Sequence, residues 1–340
     1  MRRLELENPA SRFEQYRVEY EEGSPEASLQ VYDDASQSIL SENDSPDIGF
    51  RFSVNPYRGC LHGCAYCYAR PSHEYLGFGA GSDFERKLVV KRRAPELLQQ
   101  AFDKKSWRGE LVVFSGNTDC YQPLEKSLEL TRGCLAVCAR YRNPVHIITK
   151  SALVERDLDL LTELTAHAHA GVTISVPFLD AGVARAIEPY APPPARRIEA
   201  VRRLAAAGIS VSVNVAPVIP GLNDREIIPI LEAVREAGAS GAAMVPLRLP
   251  GSVAEVFTTR LRETLPLAAE KILTRVREMR GGKLNDASFG GRMQGEGRYI
   301  QTVTELFDLT VRRLGMARRE PSPRASTFRR PGPQLDLFEC

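Results

Sequence analysis

Cys60, Cys64 and Cys67 fall in the stretch NPYRGCLHGCAYCYARP, a Cys-x3-Cys-x2-Cys cluster that supplies three thiolates on one short loop. Thiolates at that density bind metal. A closed structural zinc site takes four protein ligands in tetrahedral geometry, so zinc would need a fourth donor, and His62 or His73 could be that donor. A cubane iron–sulfur cluster held by three cysteines instead leaves one iron open to bind and activate a small molecule. The spacing favours the cluster. Cys134 and Cys138 lie four apart on an expected helix, hence on one face, but no further ligands stand near them and they read as core. Structural readings also hold for His146, His167 and His169.

The elements that must position the cysteine loop follow from periodicity. Short β-rich runs at 49–54, 111–115, 145–149, 171–176, 209–215 and 241–247 alternate with helical patterns at 95–105, 124–142, 155–168, 195–208 and 224–238. Gly171, Gly208 and Gly238 stand where helix C-termini expect glycine. Strands apolar enough to be covered on both faces, separated by helices, predict a parallel sheet with right-handed crossovers. Six such units predict an α/β fold, a partial (β/α)6 TIM-like barrel whose site lies at the C-terminal ends of its strands. The cysteine loop directly follows the first strand.

Composition bounds the remainder. The 340 residues are 43% hydrophobic, enough for one large core, and the net charge of +2 gives no global basic field. Residues 1–48 carry twelve acidic against four basic residues, and residues 1–45 show no sustained period, which predicts an acidic, loosely ordered arm. The barrel with its C-terminal helices is expected over 46–315. No apolar run approaches the roughly 20 residues of a membrane span, and the N-terminus lacks a signal peptide's apolar core. Seven cysteines, an odd number clustered at one site, suit metal chemistry in a reducing cytoplasm rather than a disulfide framework.

The cysteine spacing, with Tyr66 just before the third cysteine, resembles the signature of the radical S-adenosylmethionine (SAM) superfamily. The resemblance implies a [4Fe-4S] cluster on Cys60, Cys64 and Cys67, SAM chelated by its open iron, reductive cleavage to a 5′-deoxyadenosyl radical, and a flavodoxin- or ferredoxin-like electron donor. It also implies places for SAM at the strand ends. Gly116, Asn117, Thr118 and Asp119 after the second strand would hold the amino group, and Lys150 and Ser151 after the third the carboxylate. Ser175 and Asn214 suit ribose or carboxylate, while Ile219 and Gly221, with Tyr66, would face the adenine. Each of these also reads, singly, as a turn residue or helix cap. The runs NPYRGCLHGCAYCYARPSHEYLG and GNTDCYQPLE narrow the resemblance to a bacterial subfamily of radical SAM proteins related to spore photoproduct lyase, over roughly 45–315. That relation implies lyase-like repair or modification of a nucleobase in DNA. In the lyase a cysteine after the second strand returns a hydrogen atom. Glycine occupies the matching position here, so Cys120, or Tyr121 beside it, is expected to take that role. Radical SAM modification of tRNA or protein, and a non-enzymatic iron–sulfur adaptor, are the alternatives.

Residues 316–333 carry five arginines against one glutamate, with serine and proline between them, and predict a disordered basic linker. It delivers Gln334, Leu335, Asp336, Leu337 and Phe338 almost to the chain end. That pentapeptide resembles the consensus by which bacterial polymerases and repair proteins bind the sliding clamp: Leu337 and Phe338 would fill an apolar pocket and Gln334 would anchor by hydrogen bonds. The expectation is a clamp-associated enzyme tethered to DNA.

Overall fold

In the computed structural model the described residues are 8–10, 13, 28–318 and 326–332. Ten strands form two sheets. β1 (Gln30–Asp33), β4 (Tyr57–Arg58) and β5 (Lys87–Val90) make a small three-stranded sheet in the order β1-β5-β4. The main sheet has seven strands: β2 (Leu40–Glu42), β3 (Phe52–Val54), β6 (Val112–Phe114), β7 (Val145–Thr149), β8 (Ala170–Ser175), β9 (Ser210–Val218) and β10 (Gly241–Pro246). From β3 to β10 every neighbour pair is parallel and follows chain order; β2 adds an antiparallel edge against β3. All six expected strands are present, and the mixed α/β fold built on a parallel sheet is as expected. Among the described residues no ladder joins the two edges, β2 and β10.

The two faces of this sheet differ in chemistry. Side chains two apart share a face. On the outer face Val112, Phe114, Val145, Ile147, Val172, Ile174, Val211 and Val213 are all buried. They meet apolar stripes such as Ile227, Ile230, Leu231 and Val234 on the helix Ile227–Glu236, each worth about 1.5–3 kcal/mol when fully buried. The inner face carries a polar ladder instead: His146 Nε2 meets Thr173 Oγ1 at 2.7 Å and Thr173 Oγ1 meets Ser212 Oγ at 2.7 Å. Parity places Lys150 (β7 exit), Ser175 (β8) and Asn214 (β9) on this same inner face, beyond the ladder towards the strand C-termini.

The open side of the barrel is spanned by a strap. Residues 281–293 follow the helix Pro266–Met279 and reach both edges. The Gly290 N–H donates to Asp47 Oδ1 at 2.9 Å, and Arg292 pairs with Asp47 and donates to Ser45 Oγ at 2.6 Å, just before β3. On the other edge Arg280 donates to the Leu247 carbonyl at 2.8 Å, just past β10.

Three expectations about order are corrected. The N-terminal arm contributes β1 and β2, and Asn8 Oδ1 accepts from the backbone of Gly81 and Asp83 at 3.1 and 3.2 Å. Strands of four and three residues are too short to leave a period in the sequence. Gly171 lies inside β8 rather than ending a helix, whereas Gly208 and Gly238 do follow helices with φ of 78° and 100°. Residues 326–332 are a docked segment, not a free linker. Phe328 packs on Phe102 and Tyr141, with ring centroids 5.8 and 5.9 Å away. Arg330 donates to the carbonyls of Phe102, Lys104 and Trp107 at 3.2, 2.6 and 3.1 Å. A Cβ on Gly109 (φ 77°) would lie 2.2 Å from both the Phe328 Cβ and the Ser326 Oγ, so glycine makes room for the segment. This docking site precedes β6 and β7, at the strand N-termini. Gln334–Phe338 lie outside the described residues.

Candidate active site

The cysteine loop joins β4 to a 3-10 helix, Arg70–Leu76, and is braced from inside. Arg70 is fully buried; its Nε and Nη2 donate to the Cys64 carbonyl at 3.0 and 2.9 Å, its Nη1 to the carbonyls of Ala80 and Gly81 at 2.9 and 3.0 Å, and its Nη2 pairs with Glu85 at 2.6 Å. Gln122, also fully buried, accepts from the Leu61 N–H and donates to the Gly59 carbonyl, both at 3.1 Å. These buried groups are all hydrogen-bonded, so the loop is fixed by the fold rather than by its own sequence.

Cys60 and Cys64 are buried and Cys67 is partly exposed, all three as free thiols. Burial pushes each above the ordinary thiol range. Asp119 and the other two thiols add to this at Cys60 and Glu188 adds at Cys64, while Lys150 opposes it at Cys64 and Arg70 at Cys67. The charge of Asp119 thus bears on Cys60 and Cys67, and that of Lys150 on Cys64 and Cys67. Among the described residues no three His, Cys, Asp or Glu side chains converge on one ion-sized point. Of the two histidines named for zinc, His73 has Nε2 engaged by the Lys87 carbonyl at 2.8 Å, and His62 Nδ1 faces Asp119 at 3.5 Å. A larger cluster with cysteines as its donors fits the loop, and binding iron would ionise the thiols that burial keeps protonated.

Asp119 ties the site together. It accepts from Thr149 Oγ1 at 2.6 Å, from the Lys150 N–H at 2.8 Å and from the Tyr121 N–H at 2.9 Å, beside the His62 contact. Burial alone would raise its pKa; the bonds from His62, Lys150 and Thr149 outweigh it and hold the carboxyl at about 2. With its oxygens so engaged, Asp119 ties the β6 and β7 exits to the cysteine loop.

The β6 exit is strained where it turns: Ser115 sits at φ 76° and Gly116 at φ 148°. Asn55 holds the turn, its side-chain carbonyl accepting from the N–H groups of Asn117 and Thr118 at 2.9 Å each, while the Thr118 hydroxyl donates to the Tyr57 carbonyl at 2.7 Å. Tyr68, an exposed residue beside Cys67, donates to the Gly116 carbonyl at 2.6 Å and stands over the mouth.

On the opposite wall, Lys150 Nζ lies 4.0 Å from Glu188 and 5.4 Å from the Tyr66 ring centroid. Glu188 is buried and also bonded by Arg197 and by the Tyr66 hydroxyl. Burial raises its pKa against the opposing pull of Arg197. Glu188 and Arg197 were not identifiable from sequence, because their partners are distant residues. Ser175, at the end of β8, is paired with Asn214, which lies in the middle of β9 because that strand runs on to Val218. Ser151 caps the following 3-10 helix, accepting from the Leu153 N–H at 3.2 Å. Ile219 is fully buried and Gly221 turns with φ 81°. Their loop is locked by Asn223, which accepts from the Ile219 N–H at 2.6 Å and donates to the carbonyls of Pro177 and Pro217 at 2.7 and 2.9 Å.

Cys120 and Tyr121, the pair expected to return a hydrogen atom, are both fully buried. The Cys120 N–H donates to Ser115 Oγ at 3.1 Å and burial raises the thiol, while the Tyr121 hydroxyl donates to Asp157 at 2.9 Å. Chain direction at the strand exit turns them into the core, which adjacency in sequence does not reveal.

A braced loop of three thiols at the C-terminal ends of a parallel sheet, faced by a lysine and a strained polar turn, defines a protein built around a cysteine-held cofactor. Residues 54–234 match the sequence model of the radical SAM superfamily, and the chain belongs to that superfamily. It is 37% identical over 232 residues to an "uncharacterized protein" of Mycobacterium tuberculosis, covering 68% of this chain and 67% of the relative. It is 33% identical over 180 residues to another from Methanocaldococcus jannaschii, covering 53% of this chain and 65% of that one. Its fold is similar to that of spore photoproduct lyase, with a TM-score of 0.62 at 15% identity over 88% of this chain and 86% of the other. For the lyase complexed with dinucleoside spore photoproduct the TM-score is 0.60 at 14% identity, over 84% and 81%. The superfamily implies a [4Fe-4S] cluster and SAM. Among the described residues no helix is long and apolar enough to cross a membrane.

Proposed function

We propose that this radical SAM enzyme acts on a nucleobase in DNA, in repair or modification, and that its terminal peptide holds it to the sliding clamp. When bound, the cluster and SAM supply a 5′-deoxyadenosyl radical, and the protein supplies its placement. Cys60, Cys64 and Cys67 hold the iron. Lys150, on the inner face of the barrel and set against Glu188 and Tyr66, offers the cation for a carboxylate, and the backbone around Gly116 approaches a ligand without a side chain in the way. Tyr68, exposed beside Cys67, offers its ring to an incoming substrate. The observation that carries the enzyme reading is geometric: Cys60, Cys64 and Cys67 stand on one loop braced by the buried Arg70 and Gln122, at the end of the sheet where Lys150 faces Glu188 and Tyr66.

The DNA target is supported by the likeness of the cysteine-loop and GNTDCYQPLE runs to proteins related to spore photoproduct lyase, and by the clamp-like Gln334–Phe338. A base target must be unstacked or already distorted to enter. The test is 5′-deoxyadenosine formation by anaerobically reconstituted protein with SAM and dithionite, with and without UV-damaged duplex DNA. Formation that rises with damaged DNA is expected. Slow formation indifferent to DNA would refute the DNA target and leave the radical chemistry. Removing residues 334–338 is expected to abolish pull-down by the clamp and leave 5′-deoxyadenosine formation unchanged.

A further inference from the structure

The strap across the open barrel edge and the residues it contacts carry cations that the chemistry above does not use. Among the described residues, Arg248, just past β10, has a buried Nε without a hydrogen-bond partner, and its Nη1 meets the Met293 sulfur at 2.9 Å. Arg280, buried, donates to the Leu247 and Gly291 carbonyls and forms no ion pair among the described residues. Arg292 lies 4.4 Å from the centroid of Phe289, whose ring is 65% exposed. Burial lowers the pKa of Arg248 and Arg280, and each is lowered further by a neighbouring guanidinium: Arg292 for Arg248, Arg248 for Arg280. Asp47, the carboxylate facing Arg248, is taken by Arg292 and the Gly290 N–H; Asp286 and Glu296 stand on the Arg280 side. Clustered guanidinium groups of which two lack carboxylate partners are held at a cost that an incoming anion would relieve. The loop that carries Arg248 approaches the residues just after the cysteine loop: a Cβ on Gly251 would lie 3.7 Å from Pro71.

An exposed aromatic ring stacked with arginine, next to clustered guanidinium groups, matches the two parts of a nucleotide. Phosphate takes the charge, and a base of any identity takes the ring face. An acidic peptide would use the charges and leave Phe289 unexplained. We propose that Arg248, backed by Arg280 and Arg292, binds a phosphodiester of the polynucleotide substrate at the mouth, and that Phe289 stacks on an unpaired base beside it. This rests on the reading that the mouth receives a nucleic acid, and it adds the backbone subsite and the single-stranded character of the bound segment.

The test is fluorescence anisotropy of a fluorescein-labelled twelve-nucleotide oligothymidine with the cluster-loaded protein, without reductant, over a salt series. Arg248→Gln is expected to weaken binding about tenfold and to flatten the log–log salt dependence by about 0.7. Phe289→Ala is expected to weaken it about tenfold with the salt slope unchanged, and Phe289→Trp to restore it. Because Phe289 is exposed, its loss leaves the fold intact, and iron content checks the folding of Arg248→Gln. Unchanged affinity and slope in Arg248→Gln would overturn the subsite, as would poly-glutamate of equal charge competing as well as the oligonucleotide. Failure of the radical chemistry would show instead as absent 5′-deoxyadenosine in the unaltered protein, with these binding curves unmoved.

Discussion

Replacing Asp119 by asparagine isolates the charge that joins the cysteine loop to the β6 and β7 exits. The folded carboxyl sits at about 2 against an ordinary 3.8. At about 1.4 kcal/mol per unit, that depression corresponds to about 2 kcal/mol of stability carried by the ionised form. Because the folded pKa is the lower one, the contribution is complete above the ordinary value and disappears as pH falls through the folded value. Asp119→Asn should therefore lose about 2 kcal/mol at pH 6, and the gap to the unaltered protein should narrow to about a third by pH 2.5. The assay is urea unfolding of the metal-free protein across this range, followed by the fluorescence of Trp107, the single tryptophan and a buried one. Metal-free protein is needed because acid dissolves iron–sulfur clusters. A gap of constant size from pH 6 to pH 2.5 would refute the assignment of Asp119 as an ionised linchpin.

Three further outcomes are expected. Cys64→Ala should lose most of its iron after reconstitution, measured against protein concentration, and a full load would remove the cluster assignment. Arg70→Met, which breaks the contacts to the Cys64, Ala80 and Gly81 carbonyls and to Glu85, should cost about 3 kcal/mol by thermal or urea unfolding and reduce iron content although every cysteine remains. Gly109→Ala places a Cβ against Phe328 at a φ that suits glycine; trypsin should then cut after Arg329 about tenfold faster, and an unchanged rate would show that the segment is not held there.

The main sheet was legible because its strands are apolar runs bounded by helices, and the runs at 145–149 and 171–176 fall within a residue or so of β7 and β8. The small sheet was not, since β4 has two residues and its partner β5 lies some thirty positions on, with no local pattern to announce the pairing. The cysteine loop could be read because its chemistry is in its spacing. Its supports could not: Arg70, Gln122 and Glu188 look like surface residues in sequence and are buried by partners the fold brings to them. The burial of Cys120 and Tyr121 was not legible from sequence either, because the chain turns inward after the strained Ser115. Asn8, which shows no local pattern, is likewise engaged by chain-distant Gly81.

The docked segment 326–330 has a consequence for the newly made chain. Its contacts reach back 217 positions to Gly109 and 228 to Phe102. The βα units can assemble in chain order as they are synthesised, each strand pairing with its predecessor, but the groove at Phe102, Trp107 and Tyr141 must wait for residues more than two hundred positions beyond Phe102. Until then it is an aromatic surface open to water. Chains that stop short of Phe328 would display it, and chains that include Phe328 would cover it. A contact between chain-distant residues thus becomes a distinction, covered or open, that a protease or chaperone can read.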